Sequence, residues 1–142
     1  MVRRDVILKR LNKLDEYLQV LYDLQKYSME EFLSNPEHYG SVERFLHMAI
    51  ETTIDIGSHI VSSLGLGEVN WYSDIAAIME EKGYISVELR EKWIRIVGFR
   101  SILVHQYLEV DRKIVYDVLQ NKLGDLEELK KSADTTLAGL AA

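Results

Sequence analysis

Three residues in the last third of the chain carry side chains that could act on a phosphodiester. Arg100, His105 and Tyr107 lie in an otherwise apolar segment, Val97-Gly-Phe-Arg-Ser-Ile-Leu-Val-His-Gln-Tyr107. An arginine is costly to bury unless it meets a phosphate or a carboxylate. A histidine is the side chain best suited to proton transfer near neutral pH. Together they could cleave RNA, because the histidine can deprotonate a ribose 2′-hydroxyl while the guanidinium stabilises charge on the attacked phosphate.

The spacing of these residues limits how they could meet. At about 100° per residue, Arg100 and His105 stand roughly 140° apart around a regular helix, whereas Arg100 and Tyr107 share a face. Either the helix breaks near Val104, or a second chain completes the site. A two-fold dimer that apposes two copies of this segment would also supply the second proton-transfer group that one histidine lacks.

Residue types alone also allow a purely structural interpretation. In that case Arg100 pairs with an acid such as Asp55 or Glu51, and His105 is a histidine of the core. Asp55 and His59 are four residues apart, so they can face each other across one helical turn. That spacing favours a local ion pair or hydrogen bond over half of a metal site, and no metal site is predicted.

Cofactor motifs are absent from the sequence. The glycines at 65 and 67 follow no strand, and there is no GxxxxGK[ST], HExxH or GxSxG pattern, so no cofactor is predicted. The chain has no cysteine, which excludes a disulfide framework, a zinc finger and a thiol nucleophile.

No apolar stretch approaches the ~18 residues that span a bilayer, and the start is not typical of a signal peptide. We therefore expect a cytoplasmic protein without a membrane partner.

Helical periodicity dominates the chain and predicts an all-α, up-down bundle of about five helices. The clearest apolar stripe occupies residues 2–27, at Ile7, Leu11, Leu14, Leu18, Leu21 and Leu24. Further helices are expected from about Ser41 to Leu64, from Tyr72 to Glu81, after Ser86, and after Asp111. A short helical piece is expected to begin with a capping box at Ser28. The last helix is expected to bury Ile114, Val118, Leu119 and Leu126.

The length of 142 residues fits a single domain, 1–142, in which residues 132–142 are expected to fray.

The net charge of −6 is unusual for a protein that binds nucleic acid over its whole surface. The charge is uneven, however. The segment 90–113 has six basic and three acidic residues, whereas the remainder has eleven basic and twenty acidic residues. This segment could present a local positive field, or its bases could simply be solvated.

The segment Phe99-Arg-Ser-Ile-Leu-Val-His-Gln-Tyr107 resembles the Arg-x4-His-x-Tyr signature of HEPN-domain toxins of the HepT type. The resemblance covers nearly the whole chain. Its flanking parts are Glu43-Arg-Phe-Leu-His-Met-Ala-Ile-Glu51, Ile54-Asp-Ile-Gly-Ser-His59, Trp93-Ile-Arg-Ile-Val97 and Asp111-Arg-Lys-Ile-Val-Tyr116. The position of the motif near the end of a helical chain of this length makes the match more specific than three residues would be alone.

The resemblance implies a HEPN-like bundle that forms a homodimer and acts as a metal-independent ribonuclease toxin of a type VII-like toxin–antitoxin pair. The site would lie in the cleft between protomers, with Arg100 and His105 as the catalytic pair and RNA as substrate, and the family suggests transfer RNA. Tyr107 would accept AMP from an MntA-like nucleotidyltransferase antitoxin, which silences the toxin by adding negative charge.

Three further residues are candidate supporting residues of that site. Ser101 stands where the family often has a polar amide, and it reaches less far than an amide does. Asp55 and His59 would brace the bundle or contact the motif. The alternative function is a non-catalytic dimeric module that binds a minimal nucleotidyltransferase and offers Tyr107 as acceptor. A nucleotide sensor using the same cleft is a third interpretation.

Overall fold

The computed structural model describes residues 4–105 and 111–139, with the side chains of all of these except residues 104 and 105. Every regular element in these ranges is an α-helix, which confirms the predicted all-α class. The helices are α1 (Arg4–Leu24), α2 (Met29–Ser34), α3 (Pro36–Leu64), α4 (Tyr72–Glu81), α5 (Val87–His105), α6 (Arg112–Asn121) and α7 (Leu123–Gly139). The described residues thus form seven helices, where the sequence predicted about five.

The apolar stripe of α1 is the part of the core that the sequence predicted best. Its six predicted positions are all buried, and Ile7, Leu14, Leu18 and Leu21 have no exposed surface. The stripe packs chiefly on α3, because a 3.6-residue period places all six side chains on one face of the helix.

α3 is the central helix and contacts all six other helices of the described chain. It begins at Pro36, five residues earlier than predicted, because Asn35 Oδ1 accepts a hydrogen bond from the Glu37 backbone N–H at 2.9 Å and proline suits the first helical turn. It ends, as predicted, at Gly65, whose φ of 60° is left-handed and suits a glycine cap. The predicted capping box at Ser28 is also present and begins α2.

The C-terminal part of the chain differs from the prediction in two ways. First, two helices meet at Lys122, and this turn lets Leu119, Leu123 and Leu126 all reach the core. Asp111 caps α6 as predicted, but Ile114 is 43% exposed and its neighbour Val115 is buried instead.

Second, α7 continues from residue 132, where the sequence leads us to expect fraying, to Gly139, and it buries Ala133, Thr136 and Leu137. Their burial against the bundle stabilises a stretch whose small residues carry only a weak helical pattern. The expected fraying stays a prediction.

α5 carries the segment with the candidate residues along α3, and it is also tied to α4. α5 begins after Ser86, whose Oγ accepts a hydrogen bond from the Leu89 backbone N–H at 3.1 Å. The Trp93 indole N–H donates to the Tyr72 carbonyl at 3.1 Å, which ties α5 to the start of α4. None of the described helices has a stretch both long and apolar enough to cross a membrane.

Candidate active site

Arg100 lies on α5 and reaches across to the middle of α3. Its Nε donates a hydrogen bond to Oε1 of Glu51. Its guanidinium carbon is 5.1 Å from the centroid of the Tyr72 ring, a cation–π distance. The Arg100 side chain is 20% exposed, so it is held by two partners and still reachable by a ligand. A fixed, accessible guanidinium is suited to bind a phosphate.

Glu51 is shared between Arg100 and a histidine of its own helix. His47 Nε2 is 3.4 Å from Glu51 Oε1, one helical turn earlier on α3. Sequence reasoning missed this contact, although the spacing of four residues could have revealed it as it did for Asp55 and His59. Glu51 therefore joins α3 and α5 at the base of the arginine.

Asp55 forms a second cluster one turn further along α3. Its Oδ2 accepts a hydrogen bond from Nε of Arg10 on α1, and its Oδ1 is 3.7 Å from His59 Nε2. The predicted pairing of Asp55 with His59 is thus present. Of the two acids considered as partners of Arg100, Glu51 holds it, because Asp55 is engaged by Arg10.

An open cleft separates this part of α3 from the start of α4. It is lined by Glu51, Thr52, Ile54, Asp55, Ser58 and Tyr72. Tyr72 lies 28 residues before Arg100 in the chain, and no sequence pattern linked the two. The cleft thus has a polar wall and an aromatic ring, and Arg100 contacts both through Glu51 and Tyr72.

The remaining predicted residues follow Arg100 along the chain. Ser101 is exposed on α5, next to Arg100. α5 continues without a break to His105, so the interruption near Val104 that the spacing allowed does not occur in this helix. Tyr107 lies outside the described residues, and its role stays a prediction. In the two described ranges, no group of three or more His, Asp or Glu side chains could hold a metal ion.

Comparison with known proteins identifies the family. The family described as Ribonuclease HepT-like matches residues 7–133. A protein of Aphanizomenon flos-aquae named tRNA nuclease HepT is 31% identical over 113 residues, which cover 78% of this chain and 76% of that protein. A protein of Shewanella oneidensis named mRNA nuclease HepT is 32% identical over 83 residues, which cover 58% of this chain and 62% of that protein.

A solved structure shows that the fold is shared as well. The tri-AMPylated HEPN toxin of Shewanella oneidensis, in complex with MNT antitoxin, superposes with a TM-score of 0.84. It is 24% identical, and the match covers 92% of this chain and 98% of that one. With a family match over almost its whole length, the chain belongs to the HepT-like ribonuclease family.

Proposed function

We propose that the chain is a metal-independent endoribonuclease that acts as the toxin of a toxin–antitoxin pair. The observation that carries this proposal is the setting of Arg100, which is fixed by Glu51 and Tyr72, partly exposed, and five residues before the end of α5 at His105. Family membership supports the reaction class, since relatives with significant identity are named tRNA nuclease and mRNA nuclease.

The proposed reaction needs one base, one acid and one stabilising cation. His105 takes the proton from the ribose 2′-hydroxyl, whose oxygen forms a bond to the adjacent phosphorus. The bond from phosphorus to the 5′-oxygen breaks, and that oxygen receives a proton from a second histidine. The products are a 2′,3′-cyclic phosphate and a 5′-hydroxyl. Arg100 stabilises the negative charge of the pentacoordinate phosphorus, and no metal ion takes part.

A homodimer would provide the second histidine. An uninterrupted α5 places positions 100 and 105 roughly 140° apart around the helix axis, which does not suit a site made by one copy of the helix. A two-fold axis beside α5 would bring the arginine of one protomer toward the histidine of its partner. The continuity of α5 therefore supports a site that both protomers build.

Control by AMP addition at Tyr107 is the second part of the proposal. Each AMP adds a negatively charged phosphodiester at a position seven residues after Arg100 in the sequence. That charge would occupy the guanidinium and repel the RNA backbone. The structural relative that is tri-AMPylated and bound to an MNT antitoxin supports an MntA-like nucleotidyltransferase as the partner of this chain.

A cleavage assay in EDTA tests the reaction. Wild-type protein and His105→Ala are incubated with total transfer RNA, and the fragments are analysed for cyclic phosphate ends. We expect cleavage by the wild type in EDTA and a loss of at least about 10²-fold in His105→Ala. Equal cleavage by both proteins would contradict the assigned base. No cleavage by unmodified wild type would leave the partner module as the function, once mass spectrometry has shown that Tyr107 carries no AMP.

Mass spectrometry tests the modification separately. The protein is incubated with ATP and an MntA-like nucleotidyltransferase, and Tyr107→Phe is the control, since it removes only the hydroxyl that accepts the nucleotide. We expect whole-number additions of AMP to the wild type, with loss of cleavage, and none to Tyr107→Phe. AMP found on another residue in both proteins would contradict the assignment.

A further inference from the structure

Two exposed aromatic residues follow each other at the start of α4: Tyr72 contacts Arg100, and Trp71 has no role in the proposed catalysis. Trp71 is 74% exposed, and Tyr72 next to it is 44% exposed. The only other tryptophan, Trp93, is 4% exposed, as expected for so large a side chain. An indole this exposed, preceding a residue that contacts Arg100, is suited to bind a ligand.

The backbone that carries these two side chains is fixed before any ligand arrives. Asp74 Oδ2 accepts hydrogen bonds from the backbone N–H groups of Asn70 and Trp71, at 3.0 and 2.9 Å. The Trp93 indole N–H donates a hydrogen bond to the Tyr72 carbonyl. Trp93 can lie there because α3 has a glycine at 57, where a Cβ would be 2.9 Å from the indole ring.

The contact between Tyr72 and Arg100 ties the aromatic pair (Trp71 and Tyr72) to the phosphate site. Arg100 lies 5.1 Å from the Tyr72 ring centroid and covers one side of it. A phosphate bound to Arg100 would thus lie close to the exposed part of the Tyr72 ring, and Trp71 is the preceding residue in the chain. Bases stack on aromatic rings whatever their sequence, because every base has a π-face.

The acceptor groups of the adjoining cleft suit a base. Glu51 and Asp55 line one wall of the cleft, and each is already paired with an arginine. Their remaining lone pairs can accept hydrogen bonds from the exocyclic amines that adenine, cytosine and guanine carry. A nucleotide at this site would therefore place its phosphate on Arg100 and its base toward the cleft.

From these observations we infer that Trp71 and Tyr72 form a stacking subsite for an unpaired base of single-stranded RNA, adjacent to the phosphate bound by Arg100. The inference rests on the proposed ribonuclease function and adds the conformation of the substrate. RNA is recognised in this way where its bases are unstacked, in loops and single strands, and not in a duplex. A second copy of the chain is the rival occupant of this surface.

Binding of a short fluorescein-labelled oligoadenylate tests the subsite, measured by anisotropy in the His105→Ala background so that the RNA stays intact. We expect Trp71→Ala to weaken binding by about 5- to 150-fold, the range for one stacked base. Trp71→Phe should restore most of the affinity, because a phenyl ring still offers a π-face. Tyr84→Ala is the matched control. Tyr84 is 36% exposed, follows the other end of α4, and should leave the affinity unchanged.

Tryptophan emission gives an independent reading. Unlabelled oligoadenylate should quench the emission of the His105→Ala protein, and annealing it to oligouridylate beforehand should abolish the quenching. Quenching that persists in Trp71→Phe would arise from Trp93 and would contradict the stacking of a base on Trp71. Because Trp71 is exposed, its substitution should leave the thermal unfolding midpoint unchanged.

The outcomes separate this inference from the proposed function. If wild type cleaves RNA but Trp71→Ala binds oligoadenylate as tightly as its parent, the subsite is wrong and the nuclease stands. If wild type does not cleave RNA but binding depends on Trp71, the nuclease is wrong and the subsite stands. Light scattering decides against the rival: weaker RNA binding at unchanged molar mass supports the subsite, whereas a fall to monomer overturns it.

Discussion

The two halves of α3 each pair a glutamate with an arginine of another helix, and each arginine lies over a tyrosine ring. In the N-terminal half, Glu43 Oε1 is 3.7 Å from Arg112 Nε, and the Arg112 guanidinium carbon is 3.9 Å from the centroid of Tyr39. Neither of those two buried atoms has a hydrogen-bond partner in the described chain. Partial burial raises the pKa of the Glu43 carboxyl, and the nearby Arg112 charge only partly offsets this. The Arg112 side chain is 38% exposed, so this arginine is accessible but is not held by a hydrogen bond to Glu43.

In the C-terminal half, the same three residue types are arranged differently. Arg100 donates directly to Glu51, and it lies at 5.1 Å from a tyrosine that is 44% exposed. The tyrosine borders an open cleft. The difference teaches that residue types do not mark a site. A site needs an arginine that is held by hydrogen bonds on one side and accessible on the other.

Substituting the two arginines should separate these roles most clearly. We expect Arg100→Ala to lower RNA cleavage by about 10²- to 10³-fold, the effect of losing a donor that stabilises charge in the transition state. Arg112→Ala should retain cleavage and lower only the free energy of unfolding, because it leaves Glu43 partly buried without its cation. The measurements are initial rates on transfer RNA and urea unfolding. Equal losses of activity in the two variants would show that the two arginine–glutamate pairs do not differ in function.

Two glycines of α3 test the same contrast in stability. A Cβ at Gly57 would be 2.7 Å from Ile75 Cγ2 and 2.9 Å from the Trp93 ring, whereas a Cβ at Gly40 would meet nothing within 4 Å. We expect Gly57→Ala to lower the free energy of unfolding by about 1–3 kcal/mol through overpacking. Gly40→Ala should raise it by about 0.5–1 kcal/mol, because alanine favours the helix.

Urea unfolding followed by circular dichroism measures both glycine variants. Gly57→Ala should also lower the affinity for oligoadenylate, since Trp93 holds the Tyr72 carbonyl. A Gly57→Ala protein as stable as wild type would show that the close packing under Trp93 is not required.

Glu51→Gln should have a smaller, kinetic effect. The amide still accepts a hydrogen bond from Arg100 but loses the charge, which weakens the contact by about 1 kcal/mol. As Glu51 is a positioning residue, we expect kcat for RNA cleavage to fall about fivefold with KM unchanged. Glu43→Gln is the matched variant and should leave kcat unchanged. A purely structural role of Glu51 would instead lower the free energy of unfolding without changing kcat of the folded protein.

The pH dependence of stability should reveal Glu43, with the smallest effect. Because its pKa is raised in the folded state, folding is favoured most below its ordinary pKa of 4.5, and that contribution is lost as the pH rises through the folded value. The free energy of unfolding of wild type minus that of Glu43→Gln should therefore decrease from about pH 4 to about pH 7. A difference that increases over this range would show that Arg112 dominates.

The sequence predicted many local features of the fold. The α1 stripe, the capping box at Ser28, the glycine cap at Gly65 and the cap at Asp111 are all present. Arg100 pairs with Glu51, one of the two acids that the structural interpretation of the sequence named. The extent of α7 was missed, because its stability comes from burial of Leu137 and its neighbours and not from a strong helical pattern.

By itself, the sequence determined the helical class and most helix boundaries. It also determined the order of Arg100, Ser101 and His105 along one helix. These features could be predicted because periodicity and capping depend on residues within a few positions of each other. Only the tertiary structure decided which acid holds Arg100, and that Tyr72 lies beside it. Glu51 and Asp55 are one turn apart and chemically alike. The choice between them depends on where α1 and α5 cross α3, since Arg10 on α1 takes Asp55 and leaves Glu51 to the arginine on α5.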